Sequence, residues 1–299
     1  MGLWYGMNTT NASHAAAQAL AAKGMTSRQR GEEKERQVLE WVYRWRWVAP
    51  SLIPQIVGAK SKALGPKLVR QGYLCEVTTH AGTVGNGYPE KLLFLTKEGR
   101  ARLIELGFEA QYDFAISKIF NAANLKHDSI VQRLTLNWLQ AAPSGVYREY
   151  TTPAELKFVP AEYIGHKRPD ALWIQQDSYG AHETLALELE LNPKHRDRLM
   201  GFINGCLSMR HALQPMVKAV VVVALADKAV LRSYAARVAP GQTRAVWDND
   251  ARAYGDPIRI SESDSRFFRF AKLAADYSSP ESLAVAGVPE EMGRDPYCE

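Results

Sequence analysis

Arg168-Pro169-Asp170 stands a short way before an apolar run, 185–191, in which Glu188 and Glu190 are set among leucines. Read as the adjoining ends of two strands, these segments bring Asp170, Glu188 and Glu190 to one sheet edge. Carboxylates a few ångströms apart do not all stay ionised unless a cation or a proton intervenes. An all-oxygen donor set suits a hard divalent cation, Mg2+ or Mn2+. A metal so held polarises a phosphoryl oxygen and activates a nucleophile, the chemistry by which many phosphodiesters are cut. The residues point to action on nucleic acid.

Strand alternation puts Leu185, Leu187, Leu189 and Leu191 on one face and Glu188 and Glu190 on the other. Asp170 precedes a strand expected over 171–175. It meets Glu188 if that strand pairs antiparallel with one over 184–191 through the turn around Tyr179-Gly180. Asp170, Glu188 and the Leu189 carbonyl would then hold one ion, with Glu190 binding a second or orienting a water. The bland alternative is a solvated polar strand face, which is commonplace for a Glu-x-Glu taken alone.

The elements that must position these residues follow from periodicity. A helix over 127–141 (Ile130, Val131, Leu134, Trp138) precedes strands over 146–151, 171–175 and 184–191, a helix over 195–213 and a strand over 217–226. The order is α-β-β-β-α-β. The long apolar run at 217–226 suits a strand covered on both faces, and a strand-helix-strand connection implies parallel pairing by a right-handed crossover. A helix over 228–237 and strands near 244–247 and 258–260 would extend the sheet.

The first half has another rhythm. Helices are expected over 35–48, ended by Pro50, over 51–57 and over 61–71, the third presenting Lys60, Lys62, Lys67 and Arg70. A strand over 73–79, a glycine-rich turn over 81–89, a returning strand over 91–95 starting at Lys91, and a helix over 96–106 complete the set. Two helices, a basic helix and a hairpin are the order of a winged helix-turn-helix, whose third helix enters the major groove while the wing touches the backbone. A small α+β packing module with a solvated basic face is the alternative. The chain thus divides into a flexible arm, 1–30, a winged-helix domain, 31–110, a catalytic domain, 111–276, and a disordered acidic tail, 277–299.

Composition fits this plan. The 299 residues are 46% hydrophobic, ample for packed cores in two domains, and the net charge is +5. The basic charge lies in the N-terminal third, a distribution that permits nucleic-acid binding. Cys75, Cys206 and Cys298 are odd in number and far apart, which supports neither a disulfide framework nor a zinc site. With no signal peptide and no membrane-length apolar stretch, a cytoplasmic protein without a membrane partner is expected.

The order PD…ExE resembles the PD-(D/E)xK nuclease superfamily. "HDSIVQRL", "KRPDALW" and "LALELELNPKHRDRL" after a winged helix resemble, more narrowly, the replication-relaxation group, which includes the MOBC-type relaxases of mobilisable plasmids. The resemblance covers roughly residues 35–225. It implies an α/β and α+β chain, a winged helix-turn-helix followed by a restriction-endonuclease-like core with a mixed sheet. It implies nicking of DNA, double-stranded and locally single-stranded, at a transfer origin, with a coupling ATPase and relaxosome proteins as partners. By it Asp170 matches the Pro-Asp acid and Glu188 the second acid, and Glu190 stands where most members carry lysine.

Lys194, at the start of the next helix, is the substitute this departure suggests, a phosphate stabiliser or else a surface lysine. Arg168 could clamp the scissile phosphate through its guanidinium fork, or form a surface ion pair. His127 lies in line with Val131, Leu134 and Trp138 and reads as a packing histidine. In the resembling folds the inner face of its helix borders the active site, where an imidazole can shuttle a proton. Tyr163 and Tyr179 have no spacing that supports a covalent tyrosine mechanism. The rival readings are a non-catalytic DNA-binding protein for replication control, transcription or relaxosome assembly, and a restriction-type endonuclease acting as a dimer.

Overall fold

The computed structural model describes residues 24–58, 62–79, 88–110, 121–176, 179–194, 196–224, 228–248 and 253–272. The chain is mixed α/β, and its largest sheet is a mixed sheet of five strands. It divides into two compact units, Met1–Glu155 and Leu156–Glu299. Most of the expected arm, most of the glycine-rich turn, Lys60, His195 and the expected tail lie outside the described residues. Among the described residues no helix is long and apolar enough to cross a membrane.

In the first unit helix α1 runs over Ser27–Trp45, starting eight residues ahead of the periodic stretch. It begins where the Thr26 and Gln29 side chains cap each other's backbone N–H groups. Val38, Trp41, Val42 and Trp45 are buried, as their spacing predicts. A 3-10 turn at Pro50–Leu52 leads into α2 (Ile53–Ile56) and α3 (Leu64–Arg70). Strands β1 (Leu74–Thr78) and β2 (Lys91–Leu95) pair antiparallel, with Leu74 opposite Leu95. Val48 and Leu93 exchange two backbone hydrogen bonds, of 3.0 and 2.9 Å, against the hairpin. Helix α4 (Lys97–Glu105) is capped by Thr96, and α5 (Leu125–Gln140) and β3 (Tyr147–Thr151) follow. Trp47, Leu92, Phe94 and Leu125 form one core cluster here.

In the second unit α6 (Ala161–Ile164) precedes β4 (Ala171–Gln176) and β5 (His182–Glu190). These two pair antiparallel in the register Ala171 opposite Leu187, the arrangement expected for the carboxylates. Helix α7 (Arg196–Arg210) then crosses to β6 (Ala219–Ala224), which pairs parallel with β5. Every residue of β6 is buried, as a β-branched run covered on both faces should be. Helix α8 (Lys228–Arg237) follows.

The sheet is extended differently from the expectation. The segments at β7 (Thr243–Arg244), β8 (Trp247–Asp248), β9 (Ala253–Tyr254) and β10 (Ile258–Arg259) are two residues each and form two small antiparallel pairs of their own, β7 with β10 and β8 with β9. Gly241, Gly255 and Pro257 punctuate them, leaving runs too short to join the sheet. After α9 (Glu262–Ser265), β11 (Phe268–Lys272) instead lies parallel beside β6. Phe202, Ile203, Cys206 and Leu207 of α7 pack with Ala186, Val220 and Val222 in the main core.

Candidate functional site

The segment ahead of β4 is tied to α7. Gly165 adopts φ +66°, and a Cβ there would fall 2.5 Å from both the carbonyl and the hydroxyl oxygen of Ser208, so only glycine lets the backbone lie so close. His166 N–H donates to Ser208 Oγ at 3.2 Å, and the Ser208 hydroxyl donates to the Gly205 carbonyl at 2.7 Å. Lys167 then runs over Gly205. A Cβ on Gly205 would come within 2.9 Å of Lys167 Cδ, so the glycine makes the room that the lysine stem occupies.

Asp170 N–H donates to the Leu187 carbonyl at 3.0 Å, adding one rung to the β4–β5 ladder. Its Oδ2 accepts from Leu189 N–H at 2.7 Å. The Asp170 carboxylate is therefore fixed at the end of β5. Glu188 and Glu190 share a face with Ala186, and both are buried, 3% and 4% exposed, which excludes a solvated strand face.

Each glutamate is met by a lysine. Lys167 Nζ donates to Glu188 Oε1, and Lys194 Nζ to Glu190 Oε1. Both ammonium groups lie over the Phe202 ring, 5.3 and 4.7 Å from its centroid, close enough for cation–π attraction. Phe202 meets Tyr234 edge-on. The Tyr234 hydroxyl accepts from Lys194 N–H at 3.0 Å and donates to Glu190 Oε2 at 3.4 Å.

The charges do not balance. Burial, and then the Asp170 charge, hold the Glu188 carboxyl up at about 8 against the pull of Lys167. Burial works to lower the Lys167 ammonium, but the charges of Glu188, Cys206 and Asp170 outweigh it and lift Lys167 above the usual lysine value. The ammonium thus stays charged and Glu188 carries the deficit. Cys206, fully enclosed beside them, is pushed well above the ordinary thiol range by burial and then by Glu188. Burial also lifts the Tyr234 phenol, to about 12.

Of the residues expected from sequence, Asp170, Glu188, Glu190 and Lys194 come together here. Arg168 is exposed and makes no ion pair among the described residues. His127 belongs to α5 of the first unit, half-buried, with Nδ1 3.1 Å from Asp128 Oδ1. Tyr179 is 94% exposed, and Tyr163 packs against the main core. Lys62, Lys67 and Arg70 are exposed. Lys67 Nζ lies 3.8 Å from Glu35, and Lys91 pairs with Glu76 at 2.8 Å. Sequence reasoning missed Lys167, Phe202 and Tyr234. Lys167 sits within the quoted "KRPDALW", but nothing in that string tells which of two adjacent cations turns inward.

Three carboxylates are the donor chemistry of a hard cation. Their arrangement does not fit one as it stands: among the described residues no group of three or more His, Cys, Asp or Glu is placed to hold a metal ion. The positive charge at the glutamates comes from lysine. No family model matches the chain, and no curated protein or solved structure matches it.

Proposed function

We propose that the chain cleaves one strand of DNA, with the basic face of a winged-helix-like first unit holding the duplex and the Asp170–Lys167–Glu188 cluster of the second unit acting on a phosphodiester. The observation that carries this reading is the Lys167 ammonium, bound to Glu188 at the same strand ends as Asp170. An acid pair with a lysine is thereby restored although Glu190 occupies the place where the resembling nucleases carry lysine. In this reading Lys167 holds a phosphate oxygen. Glu188, a carboxyl poised near neutrality, gives or takes the proton of the attacking water or leaving oxygen. Lys194, Glu190 and Tyr234 position the cluster from the adjoining side.

Dependence on Mg2+ or Mn2+ is part of the proposal. It rests on the family resemblance and on the oxygen donors of Asp170, Glu188 and Glu190, which the Glu188 proton and the two lysines would have to yield to an ion. Plasmid mobilisation, with a transfer origin as substrate and a coupling ATPase and relaxosome proteins as partners, is the setting that the family resemblance suggests.

One observation favours a second reading, a DNA-binding protein without cleavage. Both glutamates are closed by lysines, and the described residues offer no ready metal set.

Supercoiled parental plasmid incubated with the full chain and Mg2+ or Mn2+ separates the two. Open-circle DNA made by the wild type and lost in Asp170→Ala, Glu188→Ala and Lys167→Met is the expected result. DNA bound but unbroken under both metals, or nicking that survives all three substitutions, would sink the cleavage reading.

A further inference from the structure

The first unit holds a cation of another kind. Arg133, in the middle of α5, is 9% exposed, and its Nε is enclosed with no hydrogen-bond partner. Burial alone shifts its guanidinium, downward from the ordinary arginine value, and no carboxylate acts to raise it. Among the described residues it forms no ion pair. The adjacent Gln132 is fully buried, and its Nε2 is likewise a donor without a partner, although its Oε1 accepts from Trp41 Nε1 at 3.0 Å.

A guanidinium on a side chain 9% exposed, with its Nε enclosed and no anion beside it, is costly, and a folded chain ordinarily supplies a carboxylate. This unit does so elsewhere, since buried Arg44 has Glu155. At helical spacing Arg133 shares a face of α5 with Ser129, Asn137 and Gln140. Asn137 and Gln140 both bond Gln55 of α2, so this face looks toward the helix pair that leads to α3. Asp128, the acidic residue of the first turn, lies off this face.

We propose that Arg133 anchors a phosphate-binding site in the first unit. The ligand is an oxyanion of the phosphate class, which a guanidinium fork takes in paired hydrogen bonds. A nucleic-acid backbone or free phosphate can supply it. The proposal rests on unpaired buried donors, not on the carboxylate cluster, and it stands or falls separately from strand cleavage.

The test compares the full-length wild type with Arg133→Met, which keeps the length of the stem and removes the charge. Thermal unfolding is followed against inorganic phosphate at constant ionic strength, and DNA binding by anisotropy against salt. Phosphate well above its dissociation constant should raise the wild-type midpoint by about 2 °C or more, and the variant should lose that shift. The ligand-free variant should unfold no earlier than the wild type, because it has shed an unpaired charge. Where DNA supplies the phosphate, affinity falls about tenfold and the salt slope shrinks by about 0.9. A lost phosphate shift with unchanged DNA binding assigns the site to free phosphate instead.

A phosphate response equal in both proteins, or none in the wild type with DNA binding unaltered by the substitution, overturns the proposal. Should Arg133→Met not fold, Arg133→Lys retains the charge but lacks the fork. It should fold and respond more weakly to phosphate, and an undiminished response would overturn the proposal as well. Nicking by Asp170→Ala reports on the cleavage reading independently of all these outcomes.

Discussion

Each unit buries ionic groups, and it treats them differently. In the first, Arg44 places Nε 2.8 Å from Glu155 Oε1 and a second nitrogen 3.2 Å from Oε2, donates to the Tyr150 carbonyl, and lies 4.0 Å above the Tyr150 ring. Glu155 also accepts from Thr152 N–H at 2.7 Å. Burial works against the Arg44 charge, yet Glu155, with Tyr150 and Glu40, more than restores it. A second carboxylate, buried Glu40, lies 3.9 Å from Arg44 and is itself held by Arg36 at 2.7 Å, so two forks meet two carboxylates and the charges balance. In the second unit three carboxylates share two lysines on flexible stems, and Glu188 is left near its titration point. A fixed, balanced pair suits a structural joint. An underneutralised cluster suits a site that exchanges partners and protons.

Breaking each pair from its cationic side should separate the two most strongly. Arg44→Met leaves Glu155 buried without its cation, with an expected loss of about 3–5 kcal/mol in denaturant unfolding. Lys167→Met should cost less than about 2 kcal/mol, because Glu188 can take up a proton at little expense. Equal losses would show that the cluster is only another structural joint. If the chain nicks DNA as proposed, the same Lys167→Met should depress nicking by at least about 100-fold, near 2.7 kcal/mol of barrier, with DNA affinity changed far less. A fall in affinity that accounts for the lost nicking would reassign Lys167 to DNA holding.

The next effect is in pH. Glu188 has a folded value of about 8 against an ordinary 4.5, so the native state binds the extra proton. Its contribution is whole below pH 4.5 and is lost as pH rises toward 8. Glu188→Gln, which cannot ionise, should flatten the stability profile across that window by about 1–2 kcal/mol relative to the wild type. Arg44, lifted above the ordinary arginine value, should give no such slope there. Unfolding midpoints at about pH 5 and pH 8 for both proteins decide it, and parallel profiles would mean that Glu188 is ionised throughout.

Much of the second unit was legible because its signals are local. The alternation in 185–190 placed Glu188 and Glu190 on one face, and the turn at Gly180 set the antiparallel register that brings Asp170 opposite Glu188. The apolar run 219–224, in which Val220 to Val223 stand between Ala219 and Ala224, marked the parallel strand β6. What stayed hidden is long-range. β11 joins β6 only after more than forty intervening residues, with no periodic mark to reserve its place. The polar stretch 27–34 hides the start of α1, although Thr26 and Gln29 spell a cap. Lys167 turns inward because Gly165 and Gly205 let it, a fact of packing against α7 that sequence spacing does not encode.

That packing yields the smallest stability effect and the sharpest test of the comparison. Gly205 lies in the interior of α7, where alanine would ordinarily gain about 1 kcal/mol of helix propensity. Its new Cβ would stand 2.9 Å from Lys167 Cδ and 3.2 Å from Lys167 Cβ, so the lysine stem must shift. The gain and the displacement oppose each other, and the net change in stability should stay within about 1 kcal/mol. The Lys167–Glu188 bond is what yields, since the stem is flexible and the α7 backbone is not. Gly205→Ala should therefore leave unfolding nearly untouched while lowering nicking by about tenfold, or about 1.4 kcal/mol of barrier. A Gly→Ala change that leaves both unaltered would mean that the position of Lys167 is immaterial, and with it the contrast between a fixed joint and a working cluster.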